Sequence, residues 1–171
     1  YQPVVLASAL ASKKNSQFAI LMPAADRESS FWKIPIIGIN KAASELSHFG
    51  VEISSYLFSI SDKQSFLEQA YKAISNKPEA LIIVPAFEEE ALKIVQLCSE
   101  QQIQYAFFNS NILNKEQICY VGQDARQSGV LAAKLLDYGL KENSQILIVS
   151  ILRFLKNNNH ILNRKQGFLD Y

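Results

Sequence analysis

Short apolar runs alternate along the chain with stretches in which apolar residues return every three or four positions. Phe18–Met22, Val51–Phe58, Ala80–Val84 and Tyr105–Phe108 read as four strands, Ile118–Val121 as a weak fifth and Gln145–Ser150 as a strong sixth. Between them Ile36, Ile39, Ala43 and Leu46 recur at helical spacing, as do Phe66, Ala70, Ala73 and Ile74. Ala91, Ile94, Val95 and Cys98 form a third such set, and Val130, Ala133, Leu136 and Leu140 a fourth. Asp62 is placed to cap the second helix and Gly50 to stop the first. Pro35 falls in the opening turns of the first helix and predicts a late start or a kink there.

Runs such as Ala80–Val84 are apolar without alternation, the pattern of strands covered on both faces. Strand–helix alternation with short connections predicts an α/β fold with a doubly wound parallel sheet. The pattern changes near residue 140. A strand at 145–150 and a helix-like ending at 166–171 are too little for a core, so residues 141–171 read as the start of a second, similar and incomplete subdomain.

At 171 residues the chain is long enough for one full core. Its net charge of +1 supplies no broad field toward nucleic acid, a membrane or an acidic partner. No apolar run is long enough to cross a bilayer. Cys98 and Cys119 lack CxxC spacing and lie in apolar runs, which predicts two buried reduced thiols and suits a cytoplasmic protein.

Nothing in the sequence makes a catalytic set. GxGxxG, GxxxxGK(S/T) and GxSxG are absent. His48 stands beside Gly50 at a helix end, and His160 in a polar, Asn-rich loop without a second histidine or cysteine, so no metal site or cofactor is expected. Glu88, Glu89 and Glu90 open the third helix, where carboxylates favour the positive end of the dipole. These features argue against an enzyme.

Binding groups are better represented. Open α/β sheets bind ligands beyond the carboxyl ends of their strands. Asp26, Phe31 and Trp32 follow the first strand, Phe87 the third, Asn109 the fourth, and Gln123 and Asp124 the fifth. Carboxylates, amides and flat rings suit a sugar, the polar groups for its hydroxyls and the rings for its apolar face. Trp32 could equally pack beneath its own loop, and Asp124 could equally cap the helix that follows it.

Four segments, taken together, resemble the LacI/GalR transcription regulators. Tyr1-Gln2-Pro3 followed by Leu6-Ala7-Ser8-Ala9-Leu10 is similar to the family's Y-x-P-N-x-x-A-R-x-L junction, with Val4 and Ser8 in place of its Asn and Arg. Ser30-Phe31-Trp32 stands where the family often has N-P-F followed by Phe or Trp. Residues 120–133 resemble its V-G-x-D-x-x-x-x-G-x-x-A-A block, and Asn163–Phe168 its R-x-x-G-F element.

The resemblance implies a type 1 periplasmic-binding-protein fold. Residues 1–16 would be the hinge to a helix-turn-helix headpiece, 17–140 the N-terminal effector-binding subdomain and 141–171 the beginning of the C-terminal one. Arg164 would reach sugar hydroxyls with its planar fork, beside Trp32. Leu10, with Ala7, would belong to a hinge helix that wedges into the minor groove of operator DNA. The implied partners are a sugar-like effector, operator DNA and a second copy of the chain. A periplasmic sugar-binding protein of a transport system shares the fold and is the alternative. Asn109 stands where the family often has Asp, which removes a charge from the site.

Overall fold

In the computed structural model, residues 15–25, 30–112, 116–141, 143–149 and 158–171 are described. The strands are β1 (Ser16–Pro23), β2 (Val51–Phe58), β3 (Ala80–Ile83), β4 (Gln104–Phe108) and β5 (Tyr120–Val121). The helices are α1 (Lys33–Ser47), α2 (Lys63–Ser75), α3 (Glu88–Glu100), α4 (Ala125–Asp137) and α5 (Asn159–Leu169). All strand pairs are parallel, in the order β2-β1-β3-β4-β5. The chain steps from β1 to β2 on one side and returns to β3 on the other, which puts the topological switch between β1 and β3.

The unalternating runs have the expected cause. Ala19 and Leu21 of β1, with Leu81 and Ile83 of β3, point into a large core beneath α2 and α3. Their neighbours Ile20, Met22 and Val84 point to the opposite face, where Trp32, Ile36 and Ile39 close a smaller core. Phe58, Phe66 and Phe87 meet inside the larger core, with the Phe58 and Phe66 rings edge-on at 5.0 Å. Asp62 Oδ1 accepts the Gln64 amide at 2.9 Å and so caps α2. Gly50, with φ of 76°, turns the chain out of α1, a conformation glycine adopts without strain.

Several expectations are corrected. The first helix starts at Lys33, ahead of Pro35 rather than after it. Pro35 is its third residue, where an N–H would have no intrahelical acceptor, so its lack costs little. Cys98 is buried, but Cys119 is exposed because it precedes the edge strand β5. His160 lies in the first turn of α5, not in a loop. Residues 145–149 carry the apolar pattern of a strand but belong to no ladder, and their side chains are exposed. A strand exists only where a neighbour supplies backbone partners, and no other strand among the described residues flanks this one.

The helix α4 packs chiefly on α5. Two glycines permit the close approach. A Cβ on Gly129 would overlap the Arg164 carbonyl oxygen, with Phe168 N at 2.8 Å, and one on Gly167 would overlap the Arg126 carbonyl. The pair is further tied by Arg126 to Asp170 and by the Tyr171 hydroxyl donating to Asp137 at 3.1 Å.

Candidate functional site

The carboxyl ends of β4 and β5 and the first turn of α5 frame a cleft of about 370 Å³. Its floor is built by two turns. After β4, Asn109 takes φ of 64°, a left-handed conformation that asparagine tolerates better than most residues. Its N–H donates to the Val121 carbonyl at 2.9 Å, which holds the turn against the end of β5. After β5, Asp124 leaves the strand in an extended conformation, and its Oδ1 accepts the Gln127 amide at 2.9 Å. Asp124 is therefore the cap of α4. One of its oxygens is committed to that bond.

Between the turns sits Tyr120. Its hydroxyl lies 3.1 Å from the Asn109 carbonyl and 3.3 Å from that of Gln123, two acceptors for one proton. Burial raises the phenol's pKa, as does the Asp124 charge, while Arg164 pulls it down. The phenol stays protonated and works as a donor.

From α5, Arg164 reaches across the helix pair. Its Nε donates to Ser128 Oγ at 3.0 Å and its Nη2 to Gln123 Oε1 at 2.8 Å. The fork thereby joins the end of β5, α4 and α5. One turn earlier, His160 lines the cleft together with Asn111 and Asn163. Its Nδ1 is buried with no hydrogen-bond partner among the described residues. Burial lowers the imidazole pKa, and the nearby Arg164 charge lowers it further, so the ring is neutral at pH 7.

Of the residues expected from sequence, the fold thus brings Gln123 and Asp124 to the cleft, with Asn109 in its floor and Arg164 bracing its wall. The aromatic expectations divide. Trp32 is 4% exposed, packed against Ile20, Met22 and Val84, and Phe87 is 8% exposed inside the phenylalanine cluster. Neither presents a face to solvent. Phe31 does, at 58% exposure, its ring standing edge-on to Trp32 at 5.0 Å. Asp26, and the hinge residues Ala7 and Leu10, lie outside the described residues. His160 was missed as a cleft residue because Lys156–His160 reads as a polar loop; a helix capped at Asn158 would have put it one turn ahead of Arg164.

Two other concavities lack this convergence. The larger of the two, about 670 Å³, is a shallow hollow at the amino ends of β3 and β4, around Lys77, Pro78 and Gln101. A groove of about 470 Å³ between α4, α5 and residues 146–149 is mainly apolar. Among the described residues no three His, Cys, Asp or Glu side chains come together to hold a metal ion, and no helix is long and apolar enough to cross a membrane.

The sequence profile of the periplasmic binding protein domain matches residues 18–171. The chain belongs to that family. No curated protein matches it in sequence. Among solved structures, it is similar to a candidate LacI transcriptional regulator from Bacteroides fragilis, with TM-score 0.80 and 24% identity over 92% of this chain and 55% of the other. A glucose-galactose binding protein from Geobacillus stearothermophilus superposes with TM-score 0.74 and 22% identity, over 92% and 54%. A carbohydrate transporter solute binding protein from Agrobacterium radiobacter, in complex with D-arabinose, gives TM-score 0.70 and 22% identity, over 93% and 53%. The chain spans about half the length of these structures. At such identities the likeness establishes the fold, a parallel α/β sheet of the periplasmic-binding-protein type.

Proposed function

We propose that the chain supplies one wall and part of the second wall of a sugar-binding cleft, within the effector-binding region of a LacI-type transcription regulator. The convergence of Gln123, Asp124, His160 and Asn163 at the carboxyl end of the sheet carries this reading. These groups come from both sides of the crossover after β5, as a ligand that bridges two subdomains requires. The glucose-galactose binding protein and the arabinose complex favour a monosaccharide. The packing of α4 on α5 favours a boundary near Gln123 rather than the 140/141 boundary expected from sequence, so that α4 opens the second subdomain.

Ligand closure of the cleft would move one subdomain against the other and shift the population of a DNA-binding arrangement. The Tyr1–Leu10 segment supports the regulator: apart from Val4 and Ser8 its sequence follows the family's hinge pattern, with Ala7 and Leu10 at the positions that pattern assigns to operator DNA. Ile34 and Ile37 are exposed on α1 and suit the homodimer contact of a cytoplasmic regulator. A transport receptor is the second reading, favoured by the solute-binding likenesses. With Trp32 and Phe87 occupied in the core, Phe31 is, of the three rings expected from sequence, the one left exposed for stacking, although it does not line the cleft around His160.

The test is calorimetric titration of the full-length protein with D-glucose, D-galactose and D-arabinose. Saturable binding of one of them is expected, and heats no larger than dilution for all three would refute the sugar reading. A helix-turn-helix encoded ahead of Tyr1 agrees with the regulator; a secretory signal there would replace it with the transport receptor.

A further inference from the structure

We infer that His160 is a fixed hydrogen-bond donor of the cleft, holding its proton on Nε2 and offering it to an oxygen lone pair of the bound molecule. The inference deepens the proposed function and rests on the cleft being the ligand site. It starts from an asymmetry in one ring. His160 lines the cleft, yet its Nδ1 is shut away from solvent without a partner. The edge of the ring left to face the cleft is therefore the one carrying Nε2.

A neutral imidazole has one N–H and one lone pair, whereas the imidazolium has two N–H groups. An N–H at Nδ1 would be a buried donor with no acceptor, which disfavours both the Nδ1–H tautomer and the cation. A bare lone pair at Nδ1 leaves the donor at Nε2, where a ligand or water can accept it. The charged and titratable groups facing the ring act in the same direction. Arg164, four residues along α5 on the same face, opposes a second positive charge. Arg126 of α4 adds another cation whose charge is largely met by Asp170. Asp124, at the start of α4, is the carboxylate on the cleft wall among the described residues, and Tyr120 from β5 remains a neutral phenol.

The bound molecule is identified by what these groups lack. His160 Nε2–H and the Asn163 amide offer donors, while among the described residues Asp124 offers the charged acceptor, one oxygen of which is already bonded to a backbone amide. A neutral polyol fits, its oxygens accepting from the wall and its hydroxyl protons meeting the amide oxygens and Asp124. An ammonium ligand has no lone pair to meet His160.

The first arm of the test needs no ligand. Nitrogen-15 spectra of the labelled chain, with His160 identified by its loss in His160→Gln, should show a neutral ring protonated at Nε2 at pH 7. Its titration should fall below the ordinary histidine value of 6.5. A ring protonated at Nδ1, or a cation at pH 7, overturns the inference.

The second arm uses D-glucose and D-arabinose with the full-length protein. The amide nitrogen of glutamine reaches the place of Nε2, and that of asparagine the place of Nδ1. His160→Gln should keep affinity within about threefold, and His160→Asn should weaken it about tenfold, the factor one hydrogen bond carries. Equal effects of the two variants overturn the inference. If neither sugar binds the wild type, the sugar reading fails, and the tautomer alone decides the role of His160.

Discussion

Gly129→Ala should loosen the α4–α5 pair while leaving the sheet intact. The added methyl would overlap the Arg164 carbonyl oxygen, with Phe168 N at 2.8 Å and Arg164 C at 2.9 Å. Relieving the Phe168 contact alone to the ordinary 3.4 Å takes ~0.6 Å, and the Arg164 carbonyl oxygen is closer still, so the helices must part by more than that, since backbone atoms cannot rotate away as a side chain would. Overpacking of this kind costs about 1–3 kcal/mol. Parting the helices also stretches the Arg164 bonds to Ser128 and Gln123, each worth about 1 kcal/mol. Against this, alanine is the better helix former by roughly 0.5–1 kcal/mol. The net loss is about 2–4 kcal/mol, which corresponds to roughly 30- to 900-fold faster amide exchange across α4 and α5. Gly38→Ala is the control. It sits in α1 with nothing within 4 Å of the added carbon, so it should stabilise by about 0.5–1 kcal/mol. Hydrogen exchange read by mass spectrometry checks both. Protection of α4 and α5 in Gly129→Ala equal to that in the control would refute the close-packed crossing.

Native protein should react with one equivalent of a thiol reagent and denatured protein with two, because Cys119 is exposed whereas burial pushes the Cys98 thiol up to about 11; two fast equivalents in the native state would contradict the burial of Cys98. Asp124→Ala should destabilise by about 1 kcal/mol and Asp124→Ser by much less, since serine also caps; denaturant unfolding measures this, and loss of sugar affinity in the serine variant, whose cap is kept, would assign a ligand contact to the second carboxylate oxygen. Lys63→Met should cost about 1 kcal/mol, because Glu90 is buried and Lys63 Nζ is its cation at 3.6 Å, a gain limited by the exposure of the lysine; unchanged unfolding would show that the helix dipole suffices for Glu90. The His160 pKa is lower in the folded than in the unfolded chain, so the unfolded form takes up its proton first as pH falls. Its contribution to stability is full above 6.5 and declines as pH drops from there through the folded value; urea midpoints should show this slope, and His160→Gln should lack it.

Much of the fold was legible in the chain because it depends on local rules. Apolar runs such as Leu81–Val84 are continuous because their side chains enter cores on both faces, and the Phe66–Ile74 spacing marks one buried side of a helix. Asp62 was readable as a cap because its bond closes two residues away. The site was legible only in part. Gln123 and Asp124 follow a strand and were found on that basis, whereas His160 depends on where α5 begins, a boundary blurred by the asparagines before it.

Residue by residue, the aromatic expectations show where local reasoning ends. Phe31 and Trp32 are adjacent and chemically alike, yet one faces solvent and the other is enclosed by Ile20, Met22 and Val84. Phe87 follows β3 as a ligand-facing ring would, but Phe58 and Phe66 claim it. Residues 145–149 have the composition of a strand without a ladder to join. The sequence by itself determined the parallel α/β class, the order of its elements and the polar edge on which a ligand would sit, because periodicity and turn chemistry are properties of neighbouring residues. Only the tertiary structure decided which rings are core, that two glycines bring α4 onto α5, and that His160 meets Asp124 across a cleft. Those outcomes depend on which residues distant in sequence compete for the same volume and the same hydrogen bonds.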